Sequence, residues 1–187
     1  MKIAFIDLET TGIDPVLNGV RQIGAIFEVD GKEIARFNQT VKPFPLDVID
    51  QDALDVSDIS MAEVLKFQPP ELVYKEFIKE LDAIVDKYDR KDKLIFIGYN
   101  SRFDDSFLRE WFRKAGNKYY GSYFWWPAID VSNMAMVHLM GKRQELENFK
   151  LGTVAKTMGF YVDETKAHDA MYDIELTKEL FKMLRAE

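Results

Sequence analysis

Two carboxylates stand where a buried strand would not normally carry them. Residues 5–12 (Phe-Ile-Asp-Leu-Glu-Thr-Thr-Gly) follow an apolar start and predict a strand that ends in a turn. Because side chains alternate along a strand, Asp7 and Glu9 point to the same face. Adjacent carboxylates repel each other, and a divalent metal with its preference for oxygen ligands is the simplest counter-charge. Taken alone, the segment also fits two exposed acids at a strand end, so other parts of the chain must decide.

Two further segments carry acids beside strand and helix signals. Residues 100–104 (Asn-Ser-Arg-Phe-Asp) follow an apolar run, and residues 168–173 (His-Asp-Ala-Met-Tyr-Asp) open the last helical stretch. With residues 5–12 they resemble the DEDDh exonucleases, the family of the epsilon proofreading subunit of bacterial replicative polymerases. That family carries Asp-x-Glu-Thr-Thr-Gly, then Asn-x-x-Phe-Asp, then His-x-x-x-x-Asp. All three motifs occur here in that order, and three in order are a strong signal where one would be weak.

The resemblance implies a role for each matched residue. Asp7 would bridge two divalent ions, Mg²⁺ or Mn²⁺. Glu9 and Asp173 would hold the ion on the side of the nucleophile, and Asp104 would hold the other ion, partly through water. Two such ions about 3.5–4 Å apart activate a water and stabilise the attacking and leaving oxygens of a phosphodiester. His168 would be the general base for the attacking water.

The spacing of the third motif separates its two functional residues. Five residues along a helix correspond to about 500°, so His168 and Asp173 would lie about 140° apart if both were helical. We therefore expect His168 in the loop before the helix and Asp173 on the helix itself. His138 matches no motif, and an isolated histidine is more often a surface or core residue than a catalyst.

Thr10 and Asn100 are secondary candidates, for holding the 3′ nucleotide and ordering the site. Close relatives of the proofreading subunit usually carry His where this chain has Tyr99, and frequently Glu where it has Gln22. Neither position is a metal ligand. These departures therefore bear on the branch of the family and not on activity.

Other polar and aromatic residues have plainer explanations. Asp105 points about 100° away from its neighbour in the second motif on a helix, and Asp130 and Asp169 match no ligand position. The aromatic stretch 119–126 has rings on which bases could stack, but packing is the favoured interpretation. Residues 142–143 (Lys-Arg) carry charge that could touch phosphate, although a solvated loop is the better explanation.

Composition limits the class of protein. A chain of 187 residues, 47% hydrophobic and 30% charged, fits one globular domain over residues 1–187. It has no cysteine, which excludes disulfides and thiolate sites, and we expect a reducing, cytoplasmic location. We see no signal peptide and no apolar run near the roughly 18 residues of a membrane span. Proteins that coat nucleic acid non-specifically are basic, so the net charge of −7 argues against that class. We expect this chain to bind nucleic acid at one small site where metal ions supply much of the positive charge.

The order of the elements predicts an α/β fold. Strands are expected at residues 2–8, 21–29 and 33–41, with a tight hairpin at Asp30-Gly31 between the last two. Residues 46–60 are irregular with one short helix. The helix opened by Pro69-Pro70 should run to about Tyr88, with Leu72 and Val85 on its apolar stripe. The remaining elements are predicted as helices at 101–115, 132–140, 149–158 and 169–184, and as strands at 94–99 and 128–131.

Three antiparallel strands followed by α/β units make an α/β mixed sheet flanked by helices. The resemblance adds that it is of ribonuclease-H-like type. It also implies a 3′→5′ exonuclease that acts on single-stranded or frayed DNA and releases nucleoside 5′-monophosphates, with a DNA polymerase as a candidate partner. An exoribonuclease or oligoribonuclease with the same chemistry is an open alternative, because sugar discrimination depends on contacts to the 2′-hydroxyl. A catalytically silent nucleic-acid-binding module is disfavoured by the intact set of acids and histidine.

Overall fold

In the described part of the chain, residues 1–166 and 169–186 of a computed structural model, five strands form one mixed sheet. The strands are β1 (Lys2–Thr10), β2 (Val20–Val29), β3 (Lys32–Thr40), β4 (Ile95–Gly98) and β5 (Ile129–Asp130). Their order across the sheet is β3-β2-β1-β4-β5. The first strand of the chain is therefore the central strand of the sheet.

The first three strands are antiparallel, as the sequence predicts. Asp30 and Gly31 connect β2 to β3 with φ angles of 51° and 79°. Positive φ at both positions is the signature of a type I′ turn, whose twist matches that of the strands it joins. The hairpin prediction at Asp30-Gly31 is confirmed.

The last two strands run parallel to β1. Ile3 of β1 pairs with Ile95 of β4, and Ile97 pairs with Ile129 of β5 at the outer edge, where the short strand was predicted. Because β1 and β4 are parallel, their carboxyl ends lie at the same edge of the sheet. The acids that end β1 are thereby brought beside the segment that follows β4.

Helices cover both faces of the sheet. Their bounds are α1 (Gln51–Val56), α2 (Met61–Val64), α3 (Pro70–Ile84), α4 (Ser101–Lys114), α5 (Val131–His138), α6 (Leu151–Thr157) and α7 (Ala170–Ala186). One core, with Leu8 and Ile23 from the sheet, packs against α3 and α4. The other, with Phe5 and Ile26, packs against α5, α6 and α7. No helix in the described residues is both long and apolar enough to span a membrane.

The predicted course of α3 is wrong at its end. The helix stops at Ile84 instead of Tyr88, and Val85 is extended although it stays buried. The ammonium of Lys2, on β1, donates to the carbonyl oxygen of Ile84 at 2.6 Å and so satisfies a carbonyl that a longer helix would have used. Leu72 was placed on the buried stripe but is 46% exposed. The bond from Lys2 to Ile84 marks the end of this helix, and the local sequence does not reveal it.

The irregular region after β3 holds the predicted short helix, α1, and a second one, α2, directly after it. Ser60 and Glu63 form a capping box at the start of α2, with each side chain bonded to the other residue's backbone N–H. Ser-x-x-Glu is the sequence signature of that cap. The signal is present in the sequence and would have located α2.

α7 packs closely against the sheet at Gly24 of β2. A Cβ atom there would lie 2.8 Å from Ile174 Cδ1 and 3.0 Å from Ala170 Cβ, both on α7. Gly24 also pairs with Asp7 across the sheet. The absence of a side chain at this position therefore allows α7 to lie beside the acidic end of β1.

We predict that Gly24→Ala destabilises the protein by about 1–3 kcal/mol, because overpacking at this contact must displace α7. Urea unfolding measures the change. Gly141→Ala is the control, since no atom lies within 4 Å of the position that an added Cβ would take, and its change should be near zero. Equal unfolding free energies for the two variants would contradict the tight approach.

Candidate metal and nuclease site

Three carboxylates from the two ends of the chain meet at the carboxyl end of β1. Asp7 and Glu9 lie on the face of the sheet that α7 covers, and Asp173 lies in the first turn of α7. One carboxylate oxygen from each residue lies within 4.8 Å of the others. This is the separation at which a single cation reaches all three. We call Asp7, Glu9 and Asp173 the acidic cluster.

Asp104 lies next to this cluster without belonging to it. It sits in the first turn of α4, is 4% exposed, and its Oδ1 accepts a hydrogen bond from the backbone N–H of Leu8 at 3.0 Å. That bond attaches the carboxylate directly to β1 between Asp7 and Glu9. The sequence predicts that all four acids converge, with Asp104 on the side of the second ion. In the structure Asp104 lies close enough to Asp7 for its charge to raise the pKa of Asp7.

Burial and mutual repulsion raise the proton affinity of these acids. Burial, followed by the charges of Asp104, Glu9 and Asp173, raises the pKa of Asp7 well above its usual value. Burial also raises the pKa of Asp104, although the hydrogen bond from the backbone of Leu8 opposes that shift. Ionised carboxylates this close are stable only beside a cation. The cluster is thus electrostatically incomplete on its own.

One cation in this region was not found from the sequence. The guanidinium of Arg21, on β2, donates through Nη2 to Glu9 Oε2 at 2.7 Å, and also to the hydroxyl of Ser57. Burial raises the pKa of Glu9 to about 7, while Arg21 acts to lower it. Neither Arg21 nor Ser57 falls in a motif. The sequence signal for Arg21 is a cation near the start of a mostly apolar strand, and Ser57 has none.

The remaining candidates have mixed outcomes. His168 lies outside the described residues, so its assignment as general base stays a prediction. Thr10 donates its hydroxyl to the carbonyl oxygen of Gly12 at 2.7 Å, which orders the turn after β1. Asn100 is exposed at the turn between β4 and α4, with a left-handed backbone, φ 59°. Its backbone N–H donates to Asp130 at 3.0 Å.

The acids that sequence reasoning set aside are occupied elsewhere. Asp130 caps α5 by accepting from the N–H of Ser132. Asp105 is buried and accepts from the hydroxyl of Tyr120 at 2.6 Å. Asp169 is exposed and accepts from the N–H of Tyr172, yet it is near enough to contribute to the raised pKa of both Asp7 and Glu9.

The aromatic stretch 119–126 divides between packing and exposure. Tyr120, Tyr123 and Phe124 are buried in the core that faces α3 and α4, as the favoured interpretation requires. Trp125 and Trp126 are 41% and 77% exposed. His138 is exposed at the end of α5, and the pair at 142–143 is exposed in a short 3₁₀ segment.

A comparison with family models shows which family the chain belongs to. The model of the exonuclease family, RNase_T, matches residues 4–181, which contain every acid described above. The chain belongs to the exonuclease family. The resemblance drawn from the three motifs is thereby confirmed.

Relatives of this exonuclease-family chain include much longer proteins. It is 25% identical over 176 residues to a PolC-type DNA polymerase III of Thermotoga petrophila, covering 94% of this chain and 11% of that protein. It is 27% identical to the ribonuclease T of Baumannia cicadellinicola, covering 94% of this chain and 79% of that protein. The chain thus spans about a tenth of the PolC-type relatives.

Solved structures confirm the fold. E. coli exonuclease I, in complex with a dT13 oligonucleotide, superposes with a TM-score of 0.77 at 23% identity, over 98% of this chain and 41% of that one. The product-bound form of exonuclease I gives 0.75 at 21% identity, over 100% of this chain and 43% of that one. The predicted ribonuclease-H-like mixed sheet is confirmed.

The donor set of this exonuclease-family site fits a divalent metal. The acidic cluster offers only carboxylate oxygens, which hard cations such as Mg²⁺ and Mn²⁺ prefer. Burial, together with neighbouring carboxylates, raises the pKa of Asp7 and of Glu9, and a bound cation would favour their ionised forms. Within the described residues the cluster joins Asp7, Glu9 and Asp173, with Asp104 beside Asp7.

Neighbouring acids on α4 allow a sharp test. Asp104→Asn should lower kcat by at least about a hundredfold, equivalent to about 2.7 kcal/mol of barrier, because it removes a charge from the site. Asp105→Asn should keep turnover and lower the melting temperature instead, because Asp105 bonds Tyr120 and not the cluster. Single-turnover assays and thermal melts separate the two effects. If Asp105→Asn lost as much turnover as Asp104→Asn, our alignment of the second motif would be wrong by one residue.

Proposed function

We propose that this chain is a metal-dependent 3′→5′ exonuclease that removes nucleoside 5′-monophosphates from single-stranded or frayed DNA. The observation that carries the proposal is the meeting of Asp7, Glu9 and Asp173 within reach of one cation, in a chain of the exonuclease family. Residues from both ends of the sequence converge on this point. Packing alone gives no reason to gather like charges in a partly buried place.

The acids would divide the work of holding two divalent ions, Mg²⁺ or Mn²⁺. Glu9 and Asp173 would hold one ion, Asp7 would reach both, and Asp104 would hold the second. The position of Asp104 supports this division, since the bond from the N–H of Leu8 attaches its carboxylate to β1 between Asp7 and Glu9. Bound ions supply stabilisation of the charge that develops on the attacking and leaving oxygens of the phosphodiester.

The protein's own acid–base chemistry is assigned to His168. In this proposal its imidazole accepts the proton of the attacking water, and Asp173, five residues later, is held on α7. Thr10 and Asn100 would hold and order the terminal nucleotide. The exposed position of Asn100 beside the carboxyl end of β4 supports such a contact, and Thr10 lies directly after Glu9.

DNA is the substrate that we favour. Two of the exonuclease I structures that superpose on this chain hold dT13 and dA16 oligonucleotides, and the PolC-type relatives are DNA polymerases. A DNA polymerase is accordingly a candidate partner. The ribonuclease T relative favours the alternative, an exoribonuclease of the same chemistry. A silent binding module would not need the acidic cluster, whose assembly is costly without a cation.

Digestion of matched oligonucleotides tests the proposal. With a 5′ label, a 3′→5′ exonuclease yields a ladder that shortens one nucleotide at a time. With a 3′ label, it releases labelled mononucleotide at once. We expect both results for single-stranded DNA with Mg²⁺ or Mn²⁺, none with EDTA, and slower digestion of the matched RNA. Release of labelled mononucleotide from the 5′ label before any shortened strands appear, or equal digestion in EDTA, would contradict the proposal. Faster digestion of RNA would favour the alternative.

The two histidines provide a matched pair of variants. His168→Ala should lower kcat by about 10²–10⁴-fold, roughly 3–5 kcal/mol, because a general base is lost. Mn²⁺ binding should survive, since the imidazole is not a ligand. His138→Ala should behave like the wild type. Full turnover in His168→Ala would show that the four acids suffice for catalysis and that the chain does not belong to the histidine branch of the family.

A further inference from the structure

Arg21 is a buried arginine that contacts one member of the acidic cluster. Its side chain is 5% exposed, and Nη2 lies 2.7 Å from Glu9 Oε2. The same atom contacts the hydroxyl of Ser57, the residue that ends α1. We propose that Arg21 is a positioning residue: it orients the Glu9 carboxylate toward Asp7 and Asp173, and Ser57 holds Arg21 in place. The inference rests on the proposed function and concerns the same site.

An irregularity in the sheet accounts for the direction of this side chain. Along β1 and β2 the residues pair one to one as far as Glu9 and Gln22, but Thr10 pairs with Val20. Arg21 is therefore the extra residue of a β-bulge. A bulge bends its strand and redirects the side chain it carries, and bulges often lie next to active sites. Without the extra residue, strand alternation alone would not direct Arg21 to Glu9.

Burial determines how Arg21 can act. With 4% of the residue exposed, its guanidinium has no open path to a nucleic-acid strand, so it can influence the reaction only through Glu9. Among the described residues, its Nε–H has no hydrogen-bond partner. A buried unsatisfied donor costs free energy, which argues against a side chain chosen to optimise packing. The contact with Glu9 is the reason that remains for placing a guanidinium here.

A buried ion pair is also weak as a device for stability. Desolvation of both charges offsets most of their attraction, and apolar residues of similar size often stabilise a fold as well. Groups that hydrogen-bond a metal-ligating carboxylate, in contrast, fix its orientation and strongly affect metal affinity. Because Arg21 occupies Oε2, rotation of the Glu9 carboxylate is restricted. The carboxylate then presents one defined oxygen to a bound ion.

Three variants test the assignment. Arg21→Met removes the charge, and Arg21→Lys keeps the charge but loses the planar fork. Ser57→Ala leaves the ion pair and removes a hydroxyl that bonds both Arg21 and Glu9. Lys2→Met is the control. Lys2 lies on β1, at the opposite end of that strand from Glu9, and its Nζ is 2.5 Å from Asp92 Oδ1. Each protein is measured for Mn²⁺ binding by calorimetry without nucleic acid, for kcat and KM on single-stranded DNA, and for melting temperature.

We expect Arg21→Met to weaken Mn²⁺ binding and lower kcat, each by about 10–100-fold, with KM within about twofold of the wild type. Arg21→Lys should recover part of both losses, and Ser57→Ala should show a smaller loss of the same kind. Lys2→Met should bind Mn²⁺ and turn over normally even if its melting temperature falls. A structural role alone would lower the melting temperatures without this pattern.

Wild-type Mn²⁺ affinity in Arg21→Met overturns the assignment, as does an equal loss in Lys2→Met. A raised KM with unchanged kcat also overturns it, because Arg21 would then contact the substrate. If Arg21→Met does not fold, Arg21→Lys and Ser57→Ala decide, and wild-type Mn²⁺ binding in both overturns the proposal. Failure of the wild type itself to bind Mn²⁺ or to cleave would instead refute the proposed function.

Discussion

Mutual repulsion among carboxylates at the end of the central strand is the constraint to which the rest of this structure responds. Asp7 and Glu9 are fixed on one face of β1 by strand geometry, and Asp173 is brought to within 4.8 Å of them by α7. Each of these placements costs free energy unless a cation is near. The ion pair of Glu9 with Arg21 offsets part of that cost, and a divalent ion held by the cluster would offset more of it.

The sheet supplies the rigidity that such an arrangement needs. β1 has a neighbour on each side: β2 pairs with it antiparallel from Lys2 to Thr10, and β4 pairs with it parallel at residues 3–5. One face of β1 packs in a core, and the other face carries the acids. Leu8 and its alternating neighbours anchor the strand in the core against α3 and α4, while the face that carries the acids is open to α7 only because Gly24 has no side chain.

Sequence reasoning located the acids because local pattern and function coincide there. The apolar run before Asp7 predicts a strand, and the turn at Asp30-Gly31 predicts the antiparallel pairing of β2 with β3. What it missed depends on contacts between distant segments. The end of α3 depends on Lys2, and the contact between Arg21 and Glu9 depends on a bulge, which no periodicity reveals. The hydrogen bond that attaches Asp104 to the backbone of Leu8 is likewise a contact between distant segments.

The cluster draws its ligands from distant parts of the sequence, and this has a consequence for synthesis. On a ribosome, Asp7 and Glu9 emerge before Asp173, because α7 follows the other described helices and strands in the chain. The third carboxylate can join them only after α7 has left the ribosome and docked against β1 and β2. A nascent chain, or one cleaved before α7, thus lacks part of the metal-binding group, so completion of the fold and completion of the site are one event.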